Sequence, residues 1–174
     1  MSQNKLQSPD SFYLDAAQGW LGLGDIAAAT EELNKITPKL QKHPEVLLVR
    51  CEVASRAKRW DEVLTLANTV IKTAPRQKQG WIHRSFALHE MKRTQEAYDQ
   101  LLPGVKSFPK FWLIPYNLSC YCAQLDRLPE SWEWLQKAVK LGGLDQVCTL
   151  ALDDSDLQSL WRNIAKLKAP EKES

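Results

Sequence analysis

The chain of 174 residues carries 23 Lys and Arg residues against 21 Asp and Glu residues, so its formal net charge is only +2. This balance removes the simplest argument for binding to nucleic acid or to an anionic membrane. With 44% hydrophobic and 25% charged residues, the composition is that of a globular protein with a core. No apolar run approaches the roughly 20 residues of a membrane-spanning helix, and the first residues lack the apolar centre of a secretory signal. A cytoplasmic protein without a membrane span is therefore expected.

The sequence repeats with a step of 34 residues between residues 10 and 143. Four repeats, 10–43, 44–77, 78–111 and 112–143, share one register without an insertion. Two columns contain only small side chains, namely Ala17, Cys51, Ser85 and Ser119 in one and Ala29, Val63, Ala97 and Ser131 in the other. Three further columns are apolar or small: Trp20, Ala54, Leu88 and Cys122; Leu33, Ala67, Leu101 and Leu135; Ile36, Val70, Gly104 and Ala138. These columns are the predicted core.

A polar turn divides each repeat into two stretches with helical periodicity. The turns are Gly24-Asp25, Lys58-Arg59, Lys92-Arg93 and Asp126-Arg127, and the repeats are separated by His43-Pro44, Ala74-Pro75, Phe108-Pro109 and Gly142-Gly143. Each repeat is therefore predicted to be a helix, a short turn and a second, antiparallel helix. The small columns are expected where the two helices cross, because only small side chains allow backbones to approach closely. One hairpin cannot bury its apolar face alone, so neighbouring hairpins must stack.

The register fails after Gly143, and the remaining residues carry a different pattern. Residues 144–152 suggest a short helix, and Asp154 or Ser155 is the expected N-cap of the next one. The face of this last helix is apolar at Leu157, Leu160, Trp161, Ile164 and Leu167. We expect residues 144–168 to form a short helix and a capping helix, and residues 1–9 and 169–174 to be flexible.

The repeat resembles the tetratricopeptide repeat, whose pattern of Trp, Leu-Gly, Tyr, Ala, Phe, Ala and Pro is matched most fully by the third repeat. The matching residues are Trp81, Ser85, Leu88, Ala97, Leu101, Gly104 and Pro109. The resemblance implies an all-α fold, a right-handed superhelical solenoid of four helical hairpins followed by C-terminal capping helices. Pro38 and Pro103 fall inside second helices, where local bends are expected.

The resemblance also implies that the first helix of each repeat lines a concave surface on which a ligand lies. The candidate partner-binding residues on it are Leu48, Glu52, Arg56, Ile82, Phe86, His89, Glu90, Leu113, Tyr116 and Asn117. An apolar centre is expected from Ile82, Phe86, Leu113 and Tyr116, which suits an apolar peptide or a helix of a partner. The alternative is that these apolar side chains only pack against neighbouring repeats.

Some tetratricopeptide proteins bind the acidic tails of chaperones through a clamp of Lys, Asn and Arg side chains. At the matching positions this chain has Leu14, Gln18, Val49, Gln79 and His83. A clamp for a terminal carboxylate cannot be assembled from these side chains. The resemblance therefore favours recognition of side-chain shape over recognition of a carboxylate.

The residues that carry chemistry do not form a recognisable metal or cofactor motif. The four cysteines, Cys51, Cys120, Cys122 and Cys148, are too few and too unevenly spaced for a disulfide framework, so reduced thiols are expected. Cys120 and Cys122 lie about 200° apart around a helix axis and are not expected to share a metal ion. The stretch 153–156 has three Asp residues, but it lacks the Gly and the Glu of a calcium loop. The sequence predicts no metal site and no cofactor.

No motif of a hydrolase, phosphate-binding loop or zinc protease occurs, so the protein is predicted not to be an enzyme. The predicted function is a protein-protein interaction module, an adaptor or scaffold that binds another protein. A chaperone-like holder of secretion substrates is the alternative binding role. An enzyme and an RNA-binding repeat protein are less favoured. RNA-binding repeats recognise bases through similar polar side chains at equivalent positions, and this chain lacks such a set. The sequence leaves the oligomeric state open.

Overall fold

The computed structural model describes residues 6–168, and these residues form helices and no β-strand. The α-helices are α1 (Asp10–Gly22), α2 (Ile26–Lys35), α3 (Pro44–Arg56), α4 (Trp60–Thr73), α5 (Lys78–Glu90), α6 (Thr94–Leu101), α7 (Gly104–Ser107), α8 (Leu113–Gln124), α9 (Leu128–Gly142), α10 (Leu144–Asp153) and α11 (Trp161–Lys168). Two short 3₁₀ helices occupy Pro38–Leu40 and Ser155–Leu160. The predicted order of helix, turn and second helix is thus observed in every repeat.

The chain divides into two compact units, with the boundary between Ala87 and Leu88. In the N-terminal unit α1 packs on α2, α3 packs on α4, and α1 and α2 both contact α3. In the C-terminal unit α8 packs on α9, α6 and α7 contact α8, and α10 lies against α9 and α11. Residues 1–5 and 169–174, which belong to the segments predicted to be flexible, lie outside the described residues. Leu6, from the same predicted N-terminal segment, is buried in the core of the N-terminal unit.

The four hairpin turns close with the same backbone geometry. One residue in each turn has a positive φ, and these residues are 34 positions apart: Gly24 at 83°, Lys58 at 55°, Lys92 at 63° and Asp126 at 58°. The next amide donates a 2.9 Å hydrogen bond to a carbonyl of the first helix, in the pairs Asp25 to Trp20, Arg59 to Ala54, Arg93 to Leu88 and Arg127 to Cys122. This pattern ends a helix with a left-handed residue and satisfies its last carbonyl groups.

Lys92 occupies one of these left-handed positions, where glycine is the residue with the least strain. The left-handed conformation costs an L-residue about 1–2 kcal/mol, and glycine loses about 0.5–1 kcal/mol more entropy on folding. We therefore expect Lys92→Gly to raise the free energy of unfolding by about 0.5–1 kcal/mol, measured by urea denaturation. Gln136→Gly, in the exposed middle of α9, is the control and should lower it by about 1 kcal/mol. Equal effects of the two changes would contradict this account.

In the hairpins α1–α2, α3–α4 and α8–α9, each of which lies within one unit, the small residues lie where the paired helices meet, as the sequence predicts. All eight side chains of the two small columns are fully buried. In the α8–α9 hairpin the Ser119 hydroxyl donates to the carbonyl of Ser131 at 2.8 Å, and the Ser131 hydroxyl donates to the carbonyl of Ser119 at 2.7 Å. Larger side chains would separate the two backbones and break both hydrogen bonds.

The larger apolar columns fill the space around these crossings. Leu33, Ala67, Leu101 and Leu135 are fully buried, and so are Ile36, Val70 and Ala138. Trp20 is the exception among the predicted core columns, because its side chain is 39% exposed. The prediction that Trp20 belongs to the core is therefore wrong, although Ala54, Leu88 and Cys122 of the same column are buried.

The two internal prolines interrupt the second helices, and the C-terminal segment caps the last hairpin. Proline has no N–H to donate, which ends helical hydrogen bonding nearby. Accordingly α2 ends before Pro38, and Pro103 separates α6 from α7. Of the two predicted N-cap residues, Asp154 is the one that caps this segment, because its Oδ1 accepts a 3.0 Å hydrogen bond from the amide of Asp156. The predicted apolar face of the cap is confirmed by the burial of Leu157, Leu160 and Ile164, although the segment begins as a 3₁₀ helix.

Within residues 6–168 the helices are either too short or too polar to span a lipid bilayer.

Candidate partner-binding site

An open groove of about 400 Å³ lies over α1, α3 and the region around the start of α5, within the N-terminal unit. Its lining residues are Leu14, Asp15, Gln18, Glu45, Leu48, Val49, Glu52, Gln77, Gln79 and His83. Along each helix most of these positions are three or four residues apart, so they lie on one side of the helix, and Asp15 and Val49 directly follow Leu14 and Leu48. We call this groove the N-terminal groove. In each repeat, the face of the first helix that carries Leu48 and Glu52, or the positions equivalent to them, is called the first-helix face.

The predicted residues Leu48, Glu52 and Arg56 come together on α3 at this groove. Leu48 and Glu52 line it, and Arg56 Nη2 donates a 3.1 Å hydrogen bond to Glu52 Oε1. Both side chains of this pair are largely exposed, so the pair adds little to stability. Its effect is to hold the Glu52 carboxylate at the groove.

The N-terminal groove combines a small apolar floor with an acidic, amide-rich wall. Leu14, Leu48 and Val49 supply the apolar part. The carboxylates are Asp15, Glu45 and Glu52, and no Lys or Arg side chain lines this groove in the described part of the chain. Burial lowers the pKa of His83, and the negative charge of Glu52 opposes that shift only in part, so His83 is neutral near pH 7. The groove therefore presents negative charge next to an apolar surface.

Ile82 and Phe86, the predicted apolar centre on α5, do not line the N-terminal groove. Ile82 is half-buried, and Phe86 is 39% exposed. The Phe86 ring meets the ring of Trp60 edge to face, with centroids 5.6 Å apart. Phe86 is thus a partly exposed aromatic residue that packs against Trp60 of α4.

In the C-terminal unit the chain itself covers the first-helix face of α8. Tyr116 and Cys120, which occupy the positions of Leu48 and Glu52 two repeats later, both hydrogen-bond to Asp154 Oδ2, at 2.8 Å and 3.5 Å. Gln124 Nε2 donates to the carbonyl of Asp156 at 3.1 Å. Residues 154–156 therefore lie where a bound segment would lie on this face.

His89 and Tyr116 are buried beneath this covering segment. His89 Nε2 is 3.0 Å from Asp156 Oδ2, and His89 Nδ1 is 3.0 Å from the hydroxyl of Thr94. Burial raises the pKa of Tyr116, and Cys120 and Asp154 raise it further, so Tyr116 keeps its proton and its hydroxyl donates a hydrogen bond to Asp154. The other predicted residues of this unit are more accessible: Glu90 is exposed, and Leu113 and Asn117 are half-buried.

Sequence reasoning missed the covering of α8, and its candidate binding residues include only Leu48 and Glu52 of the residues that line the N-terminal groove. The three Asp residues at 153–156 were the only sign in the sequence of this covering, and the sequence analysis interpreted them as an N-cap. Asp15 and Gln77 of the groove were missed because Asp15 is one position beyond Leu14 and Gln77 precedes α5. Their contribution depends on how the helix ends are placed, which periodicity does not specify.

All four cysteines are free and buried. Burial raises the pKa of Cys51 and of Cys122 to about 12 and also raises the pKa of Cys120 and of Cys148. The thiols are therefore protonated and weakly nucleophilic at neutral pH. Across residues 6–168, His, Cys, Asp and Glu side chains do not gather in groups of three or more that suit a metal ion.

Comparison with solved structures identifies the fold. The chain is similar to TTC0263, a thermophilic TPR protein of Thermus thermophilus, with a TM-score of 0.71 and 15% identity over 91% of this chain and 98% of that one. It is also similar to MamA of Desulfovibrio magneticus RS-1, with a TM-score of 0.70 and 17% identity over 97% of this chain and all of that one. No family model and no curated protein sequence matches the chain. The structural likenesses confirm the predicted all-α fold of the tetratricopeptide type.

Proposed function

We propose that the protein is a non-enzymatic interaction module, an adaptor or scaffold, and that its N-terminal groove binds a segment of a partner protein. The observation that carries the proposal is the open groove itself, whose walls come from one face of each of three successive first helices. Stacked helical hairpins offer extended surfaces of this kind to peptides and helices. The groove is large enough to receive several side chains of a partner.

The covering of α8 supports the choice of this face. There, residues 154–156 are held by side chains of α8 through hydrogen bonds to a carboxylate and to a backbone carbonyl. Within residues 6–168 no such segment covers the equivalent positions of α3, since Leu48 and Glu52 line the open groove. The same type of face thus holds an internal segment in one unit and is available to a partner in the other.

The chemistry of the groove suggests how a partner segment binds. An apolar side chain placed on Leu14 and Leu48 contributes roughly 1.5–3 kcal/mol when it is fully buried. The carboxylate of Glu52, already oriented by Arg56, accepts hydrogen bonds from amide or basic groups of the partner. Affinity then comes from the apolar contact, and Glu52 adds specificity.

The experiment is capture of a partner from a cell lysate on the immobilised protein, followed by affinity measurements on the identified partner. Glu52→Lys reverses one charge in the groove. Glu62→Lys is a closely matched control, because Glu62 lies on α4 outside the groove and is also paired, with Arg59 at 3.1 Å and similar exposure. We expect Glu52→Lys to weaken binding by about tenfold or more, equal to about 1.4 kcal/mol, and Glu62→Lys to change it by less than about twofold.

Thermal melts of both variants provide the check on folding, and they should stay close to the wild-type melt because both ion pairs are exposed. Equal affinities of the two variants for the captured partner would exclude the N-terminal groove as the binding site. The identity of the partner separates an adaptor from a holder of secretion substrates, since both roles use the same groove.

A further inference from the structure

A second cavity, of about 310 Å³, lies in the C-terminal unit on a different set of elements. Its apolar walls include Phe108 and Phe111, which follow α7, and Trp134 and Leu141 of α9. Lys137 and Lys140 of α9 also line it. We call it the second-helix pocket, because α7 and α9 belong to the second helices of the last two repeats.

The second-helix pocket is an accessible apolar surface. Phe108, Phe111 and Trp134 are half-buried, and Leu141 is 44% exposed. Lys137 Nζ lies 4.0 Å from the centre of the Trp134 ring, a cation-π contact that keeps its ammonium group beside the aromatic wall. An apolar side chain entering the pocket would thus meet aromatic rings and find a positive charge next to them.

The charged side chains that line this pocket are all of one sign. Residues 100–125, which form one wall, contain no Asp or Glu and carry exposed Lys106 and Lys110. Residues 134–144, which form the other wall, contain no Asp or Glu and carry Lys137 and Lys140. Glu130, whose carboxylate accepts a hydrogen bond from the Trp134 indole, is also bound by Tyr98 and Arg127. The lining of the pocket therefore carries two positive charges and no negative charge.

From this geometry we propose that the second-helix pocket binds a segment of a partner protein in which a large apolar side chain is flanked by Asp or Glu residues. The apolar side chain fills the pocket, and the neighbouring carboxylates pair with Lys137 and Lys140. The site is separate from the N-terminal groove and shares no residue with it. The protein would therefore hold two partner segments of different chemistry, one on each unit.

The size and charge of the pocket favour a peptide over other occupants. A volume of about 310 Å³ is at the lower end of the range for ligand pockets and is enough for one aromatic or branched side chain. Two lysines three residues apart on one helix match carboxylates spaced along a short peptide. RNA binding depends on the neutralisation of many successive phosphates by Lys and Arg side chains. A chain with a net charge of only +2 is not expected to bind RNA tightly.

The test is selection of binders from a random-peptide display library against the full chain, followed by affinity measurements with the selected peptides. We expect the enriched peptides to share an aromatic or large aliphatic residue next to Asp or Glu. The double variant Lys137→Glu with Lys140→Glu should weaken their binding by about tenfold or more, and raised salt should weaken binding to the wild type. Decanoate and a single-stranded oligouridylate serve as competitor probes and should not displace the peptides.

A pair of leucine variants tests the apolar part of the site. Leu141→Ser alters the pocket, whereas Leu150→Ser alters a leucine of the same unit on α10 with nearly the same exposure, 43% against 44%. We expect only Leu141→Ser to weaken peptide binding, by about fivefold or more.

The proposal is overturned if no acid-flanked apolar motif is enriched, if the charge-reversal variant binds as well as the wild type, if the two leucine variants bind equally, or if either competitor displaces the peptides. The Glu52→Lys change in the N-terminal groove should leave this binding unaltered, which separates the two sites.

Discussion

Leu33→Ala is expected to lower the free energy of unfolding by about 2–5 kcal/mol, the largest effect of any change considered for this protein. Leu33 is fully buried in the core of the N-terminal unit, where it packs with Ala17, Leu21 and Ala29. Truncation removes its transfer free energy and leaves a cavity, because the helix crossing at Ala17 and Ala29 is already close and cannot contract further. Urea denaturation followed by circular dichroism measures the loss.

The control for this prediction is Leu23→Ala, in the turn after α1. Leu23 is 78% exposed, so the same truncation removes little buried surface and should change stability by less than about 0.5 kcal/mol. Similar losses for the two variants would show that Leu33 does not serve as a core residue. The comparison uses one residue type in one unit, so differences in helix propensity are small.

Gly142→Ala, at the end of α9, is expected to destabilise the protein by about 1–3 kcal/mol, although alanine is the better helix former. A Cβ atom at Gly142 would lie 2.7 Å from Cγ of Trp112 and 2.9 Å from Cγ2 of Val147. Cγ of Trp112 is bonded to its Cβ, so it can move away only if the whole indole changes its χ1 rotamer or the start of α8 is displaced. The change therefore forces apart α8, α9 and α10 at the point where they meet.

Gly19→Ala is the matched control for this steric argument. Gly19 lies inside α1 and is exposed, and no atom lies within 4 Å of the position a Cβ would take. Here the helix propensity acts alone, so the change should raise stability by about 0.5–1 kcal/mol. Opposite signs for the two Gly→Ala variants in a thermal melt support the contact with Trp112. A stabilised Gly142→Ala protein would show that the contact is relieved at no cost.

The helical hairpins and most of the core follow from the sequence through the 34-residue step. Columns such as Leu33 and Leu135, or Ser119 and Ser131, are predicted because a strict repeat places chemically similar residues in equivalent surroundings. Trp20 shows where this reasoning fails. Its column is buried in the three later repeats, yet Trp20 itself is 39% exposed, because equivalence in sequence does not ensure that a neighbouring element covers each copy.

The candidate site was only partly predictable. Leu48, Glu52 and Arg56 were candidates because the resemblance to the tetratricopeptide repeat assigns their positions to the concave surface, and the structure brings them together at the N-terminal groove. The second-helix pocket was missed, since its walls come from α9 and from residues after α7, which are distant in sequence and belong to no repeat column. The run of residues without a carboxylate at 100–125 was a signal in the sequence, but its meaning depends on what packs beside it.

The sequence by itself determined the all-α fold of this protein, the number of hairpins, their turns and the crossing points of small residues. These properties depend on local periodicity and on side-chain size, which are read directly from the order of residues. Only the tertiary structure decided that residues 154–156 cover the first-helix face of α8, whereas no segment within residues 6–168 covers the equivalent face of α3. It also decided that two lysines of α9 line one apolar pocket. Such surfaces arise from contacts between segments far apart in the chain, and their geometry depends on how those segments pack rather than on the pattern of either one.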